Sequence, residues 1–252
     1  MSRFVDLSLT VEMNDSEDIP VEIEYFDHAD GARHMADIFG VAAVDLPDQA
    51  GWAGERVRMI THAGTHMDAP WHYGRTSAGL PARTIDQIAL DDCVGNGLIL
   101  DFRELADGAI ITLAAVRQQL AGRQLTVQAG DIVLFCSGRD QFWGASDYKE
   151  RGPGVAAEVV EYLAGCGVRV MGIDAWGFDR PFSYMRRDYA RSGDVAVIWP
   201  AHYMGKRYPY CQLEKLCHLD QLLGRKARIY CPPIKISGAG AGWCRVFAEL
   251  LD

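Results

Sequence analysis

Three histidines and an aspartate, His62, His66, Asp68 and His72, fall within eleven residues in the run Thr61-His62-Ala63-Gly64-Thr65-His66-Met67-Asp68-Ala69-Pro70-Trp71-His72. Imidazole nitrogen and carboxylate oxygen are ligands for a borderline divalent cation such as zinc, manganese or iron, whereas calcium and magnesium want an all-oxygen cage. His62 and His66 share the i, i+4 spacing of a helical zinc-protease motif, but that motif needs a Glu where Ala63 stands. Gly64 and Pro70 also oppose a helix, so the run reads as a loop. It follows Arg56-Val57-Arg58-Met59-Ile60, whose alternation predicts a strand, so the ligands would extend from a rigid element. A cation held there with an open position would lower the pKa of a bound water to about 7. His72, four residues beyond Asp68, is placed to take that water's proton and deliver it to a leaving nitrogen or oxygen.

Residues 62–72 match the pattern His-x-Gly-Thr-His-x-Asp-x-Pro-x-His at every fixed position, and in this the chain resembles the cyclase family of metal-dependent hydrolases, which contains the bacterial kynurenine formamidases and isatin hydrolase. Val5-Asp6-Leu7-Ser8, Gly172-Ile173-Asp174, Ile234-Lys235-Ile236 and Arg245-Val246 resemble strands of that family, so the likeness covers most of the chain. The resemblance implies that His62, His66 and Asp68 hold a first metal and that His72 is a general acid or base. In the formamidases a later His and a Glu twelve residues on hold a second metal; His202 and Glu214 have that separation, and Asp68 would bridge the two ions. The isatin-hydrolase branch implies one manganese ion instead, so the expected cofactor is Mn2+ or Zn2+, as one ion or two. From the residues alone, His202 is equally a satisfied polar residue after an apolar strand at 195–199, and Glu214 a solvated carboxylate near the start of a short helix.

The elements that must position these groups form an α/β pattern. Strands are expected at 4–9, 56–61, 97–101, 131–136, 168–173, 194–199, 226–231 and 244–250. Thr112 caps a helix with Leu113, Val116 and Leu120 on its apolar face, and Pro153 opens another that carries Val155, Val159 and Leu163 and stops at Gly165. Helices are too few for a doubly wound sheet, and the family implies a layered, swivelling β/β/α fold with a mixed central sheet. Two segments are long for a compact formamidase, 12–52 and 175–193. The second contains Trp176, Phe178, Phe182, Tyr184 and Tyr189. Beside a metal such rings form a pocket or lid for an aromatic small molecule; elsewhere they fill a core or a subunit interface. Trp71, next to His72, is the best pocket candidate, with Trp176 and Phe178 as further substrate-binding candidates.

The 252 residues fit one domain spanning 1–252, and a hydrophobic content of 49% provides its core. A formal charge of -9 opposes nucleic-acid binding, which needs a basic face. No apolar run reaches the roughly 18 residues of a membrane span and the start does not read as a signal peptide, so a cytoplasmic location is expected. Seven scattered cysteines read as free thiols. The expected function is a metal-dependent hydrolase that opens an amide, of the cyclic isatin type, by attack of metal-bound hydroxide on its carbonyl. The alternatives are arylformamide cleavage, lactone or ester hydrolysis by the same machinery and, from another class, a catalytically silent metal-binding or assembly protein. A Gly-x-Ser-x-Gly elbow is absent, which opposes a serine hydrolase. Family resemblance also implies a homodimer.

Overall fold

The computed structural model describes residues 3–251; Met1, Ser2 and Asp252, the ends of the expected domain, lie outside the described residues. Nine strands make one mixed sheet: β1 (Phe4–Asp6), β2 (His66–Asp68), β3 (Val94–Asp101), β4 (Ile132–Cys136), β5 (Val170–Ile173), β6 (Cys211–Glu214), β7 (Ala227–Tyr230), β8 (Ala241–Trp243) and β9 (Phe247–Leu250). Their spatial order is β1-β9-β7-β3-β4-β5-β6-β2-β8. The centre, β3 to β6, is parallel, and both flanks are antiparallel. Beyond β1, Ser8 bridges Leu216 just past β6, which curls the sheet back on itself.

Six α-helices accompany it among the described residues: α1 (His28–Phe39), α2 (Pro70–Tyr73), α3 (Leu113–Gly122), α4 (Ala157–Gly165), α5 (Phe182–Ser192) and α6 (Pro200–Met204). None is long and apolar enough to cross a membrane. The layered α/β architecture with a mixed sheet and few helices is therefore the one expected from the sequence.

Period-2 alternation divides the core between the sheet's two faces. Ile132, Leu134 and Cys136 of β4 join Leu7, Met67 and Leu213 inside the curl. Val133 and Phe135 face the other way, with Met171 and Ile173, onto Val116 and Leu120 of α3 and Val159, Val160 and Leu163 of α4. Each fully buried side chain of this size contributes roughly 1.5–3 kcal/mol. Thr112 caps α3 through Ala115 N–H, as expected. All seven cysteines are free.

Several elements differ from expectation. The apolar run at 194–199 is not a strand but a 3-10 turn, Val195–Val197, with Asp194 accepting from Ala196 N–H. Pro153 does not open α4, which starts at Ala157; Gly154–Val155 pairs with Ile110–Ile111 instead. The expected strand near 56–61 exists as Gly54–Arg58, but it pairs only with Glu22–Phe26 and stays outside the central sheet. Ile234–Ile236 and Arg245–Val246 do not form closing strands; the chain's last two strands are β8, at an edge of the sheet, and β9, between β1 and β7, and Pro233 bridges Cys244. The long 12–52 segment also contains α1, with a capping box between Asp27 and Asp30 and Gly40 at φ 66° as its stop.

Candidate metal centre

The motif is not a loop: it is the turn before β2, β2 itself and α2. Gly64 turns the chain at φ 64° in the left-handed region. His66 and Asp68 then point to one face of β2 while Met67 enters the core inside the curl. Pro70, one of the two residues that spoke against regular structure, occupies the first turn of α2, where its missing N–H costs nothing. On the neighbouring strand the register pairs Glu214 with His66 and Gln212 with Asp68. Residues from separate parts of the chain thereby share one face, at the carboxyl end of β6. His202 arrives on α6 rather than after a strand, and Glu214 ends β6 rather than starting a helix.

Asp68 is the hub, 0% exposed. His62 Nδ1 lies 2.9 Å and His66 Nε2 3.4 Å from its Oδ1. His202 Nε2 lies 3.8 Å and His72 Nε2 3.9 Å from its Oδ2. Glu214 completes the ring, its Oε1 3.5 Å from His202 Nε2 and its Oε2 3.6 Å from His66 Nε2. Two groups of donors have metal-ligand spacing, His62 with Asp68 and His72, and His66 with Asp68 and Glu214. This division differs from that implied by the resemblance, which paired His62 with His66.

Both Asp68 oxygens and His66 Nε2 are buried without an aligned hydrogen-bond partner. Buried polar atoms normally have one, and a divalent cation would satisfy all three of these acceptors at once. Their supports fix the lone pairs inward. His66 Nδ1 is 2.8 Å from the Gly64 carbonyl, so that nitrogen carries the proton and Nε2 is the free acceptor. His202 Nδ1 is held in the same way at 2.7 Å by Asp179, whose carboxylate also accepts from the backbone N–H groups of Ala201 and His202. The Trp199 ring stacks on His202 at 4.4 Å, and Glu214 Oε1 accepts from Phe178 N–H at 2.8 Å.

Crowding sets the protonation states. Burial pushes the Glu214 carboxyl up, with the Asp68 charge acting in the same direction. Burial acts against ionisation of Asp68, but the rings of His72, His66 and His62 outweigh it and hold its carboxyl well below the usual range. His72 is pushed down to about 4, by burial first and then by His62, His202 and His66, against the pull of Asp68. It is therefore neutral at pH 7. For His62 and His202 burial also opposes the charge, but Asp68 and Asp179 respectively prevail and raise both.

A cavity of about 270 Å³ opens onto His62, His72, His202 and Glu214. Trp176, Phe182 and Trp199 are its aromatic walls. Two substrate candidates lie elsewhere. Trp71 is 44% exposed and is not among the lining residues; the helical turn of α2 that turns His72 inward turns its neighbour out. Phe178 is buried in the helix-side core against Phe135 and offers the site only its backbone N–H. Asp179, Trp199, Glu17 and Lys215 escaped the sequence reading, because none stands at a telling spacing from the motif. Replacing Asp179 by Ala frees the His202 ring and should weaken divalent-cation affinity about 10- to 100-fold, as measured by equilibrium dialysis; unchanged affinity would mean that His202 is no ligand.

Fold and cluster first define a class: an α/β protein with a buried imidazole and carboxylate centre at the end of a mixed sheet. The chain belongs to the putative cyclase family, whose sequence pattern matches residues 5–180. A kynurenine formamidase of Erythrobacter litoralis is 29% identical over 201 residues, covering 78% of this chain and 77% of that protein. Isatin hydrolase A from Ralstonia solanacearum superposes with a TM-score of 0.76 at 25% identity, over 99% of this chain and 92% of the other. An isatin hydrolase bound to the product analogue thioisatinate has the same fold, with a TM-score of 0.76, 19% identity and coverage of 98% and 92%.

Proposed function

We propose that the protein is a metal-dependent hydrolase that opens an amide bond, with cyclic amides of the isatin type as its substrates. One observation carries this reading: a wholly buried aspartate whose two oxygens face four imidazoles, three of which line an aromatic-walled cavity. His62, His66, Asp68, His202 and Glu214 would hold the cation, Mn2+ or Zn2+, as one ion or two. A divalent ion in such a site supplies a water of pKa about 7 and polarises a carbonyl.

The chain's own residues do the rest. Neutral His72, on the cavity wall, accepts a proton from the attacking water and returns it to the leaving nitrogen, which departs poorly as an unprotonated amide. Trp176, Phe182 and Trp199 stack a flat ring and exclude water. Kynurenine formamidase activity is the second reading, supported by the 29% identical relative; a lactone or ester would use the same groups. A cytoplasmic location and a homodimeric state belong to the same proposal. The test is kcat/KM of Mn2+- and Zn2+-loaded protein on isatin, N-formylkynurenine and an aromatic lactone side by side. Preference for isatin supports the cyclic-amide assignment, preference for either other substrate replaces it, and turnover of none with metal bound refutes the hydrolase.

A further inference from the structure

Glu17 and Lys215 form an ion pair in which each side chain is only 3% exposed. Lys215 Nζ lies 2.9 and 2.6 Å from the two Glu17 oxygens and donates at 2.7 Å to the His62 carbonyl. Its three N–H groups thus face three acceptors, which leaves none for a substrate. Glu17 Oε1 also accepts from Gly64 N–H at 2.7 Å. The pair therefore holds both ends of the 62–64 turn, one by a carbonyl and the other by an amide. The grip extends to the ligands: the carbonyl belongs to His62, and the Gly64 carbonyl orients His66. Lys215 is itself held at φ 56°, a conformation that non-glycine residues seldom adopt, with its own carbonyl accepting from the Thr65 hydroxyl. Buried ion pairs are rarely a good source of stability, because desolvating two charges consumes most of what their attraction returns. Bonds to the turn give this one another use.

We infer that Glu17 and Lys215 are positioning residues that fix the 62–64 turn and thereby aim His62 and His66, so that divalent-cation affinity depends on two side chains that touch no cation. The inference rests on the metal-site reading above. Two double variants test it. Glu17→Met with Lys215→Met removes both charges together, so no orphan charge is buried. Glu17→Lys with Lys215→Glu restores an ion pair but sets a carboxylate against the His62 carbonyl and an ammonium against Gly64 N–H. The Kd for Mn2+ is measured by electron paramagnetic resonance of the free ion, alongside circular dichroism of the metal-free proteins. Both variants should keep the native spectrum and bind Mn2+ at least about tenfold more weakly than wild type, with the swap no better than the Met pair.

A Kd within about threefold of wild type for the Met pair, or recovery in the swap, overturns the inference: the pair would then only fasten the fold. If one variant fails to fold, the other decides. Loss of the native spectrum in both would also overturn it, by making the pair a folding requirement. A wild-type protein that binds neither Mn2+ nor Zn2+ would refute the metal-site reading itself, and the inference with it.

Discussion

Asp68→Ala should abolish the thermal stabilisation that Mn2+ or Zn2+ gives the wild-type protein. A ligand that binds only the folded state stabilises it by RT ln(1 + [L]/Kd), about 2.7 kcal/mol at a hundredfold excess over Kd. Asp68 is the only residue common to both donor groups, so its loss removes a ligand from each. Without metal, the variant loses the attraction between the Asp68 carboxylate and the imidazoles around it. That attraction holds the Asp68 carboxyl well below the usual range in spite of its burial, so the ionised form contributes stability near neutral pH. The metal-free variant should therefore melt below metal-free wild type, and the metal-induced rise in Tm should disappear. Differential scanning calorimetry of both proteins, with and without metal, measures the two effects together. An equal metal-induced rise in both would place the cation elsewhere.

What could be read from the sequence follows from how local each feature is. Four donors are packed into residues 62–72, so their chemistry was visible without any knowledge of pairing. Ile132–Cys136 was legible as a strand because a parallel strand buried on both faces is continuously apolar. The same rule misled at 194–199: Val195 stays 67% exposed in a short turn, and an apolar run alone does not distinguish a strand from a turn beside a cavity. In the motif, Gly64 and Pro70 suggest a loop, whereas they bracket a three-residue strand too short to give a periodic signal.

His202 and Glu214 lacked any local signal, and only the family resemblance raised them. Glu214 reaches His66 through the antiparallel register of β6 on β2, and His202 through the packing of α6, both long-range events. Asp179 is further still from legibility: its role exists only because the turn after β5 brings it under α6, 23 residues before the histidine that it holds.

His72→Ala separates acid/base work from metal binding. His72 lies on the cavity wall with its side chain 22% exposed, open to a substrate as fully buried His66 is not. Its ring packs against His62 at 4.2 Å and Trp199 at 5.2 Å, which set its orientation. With its pKa near 4 it enters the reaction as a neutral base. Removing it should lower kcat by about 10²- to 10⁴-fold while Mn2+ affinity stays within a few-fold of wild type. The donor geometry allows a competing assignment, in which His72 joins His62 and Asp68 as a ligand. That assignment predicts that metal affinity and rate fall together, and that saturating Mn2+ restores part of the rate. A proton carrier cannot be restored by more metal. Single-turnover rates at limiting and at saturating Mn2+ therefore separate the two roles, and an undiminished rate at both would exclude each of them.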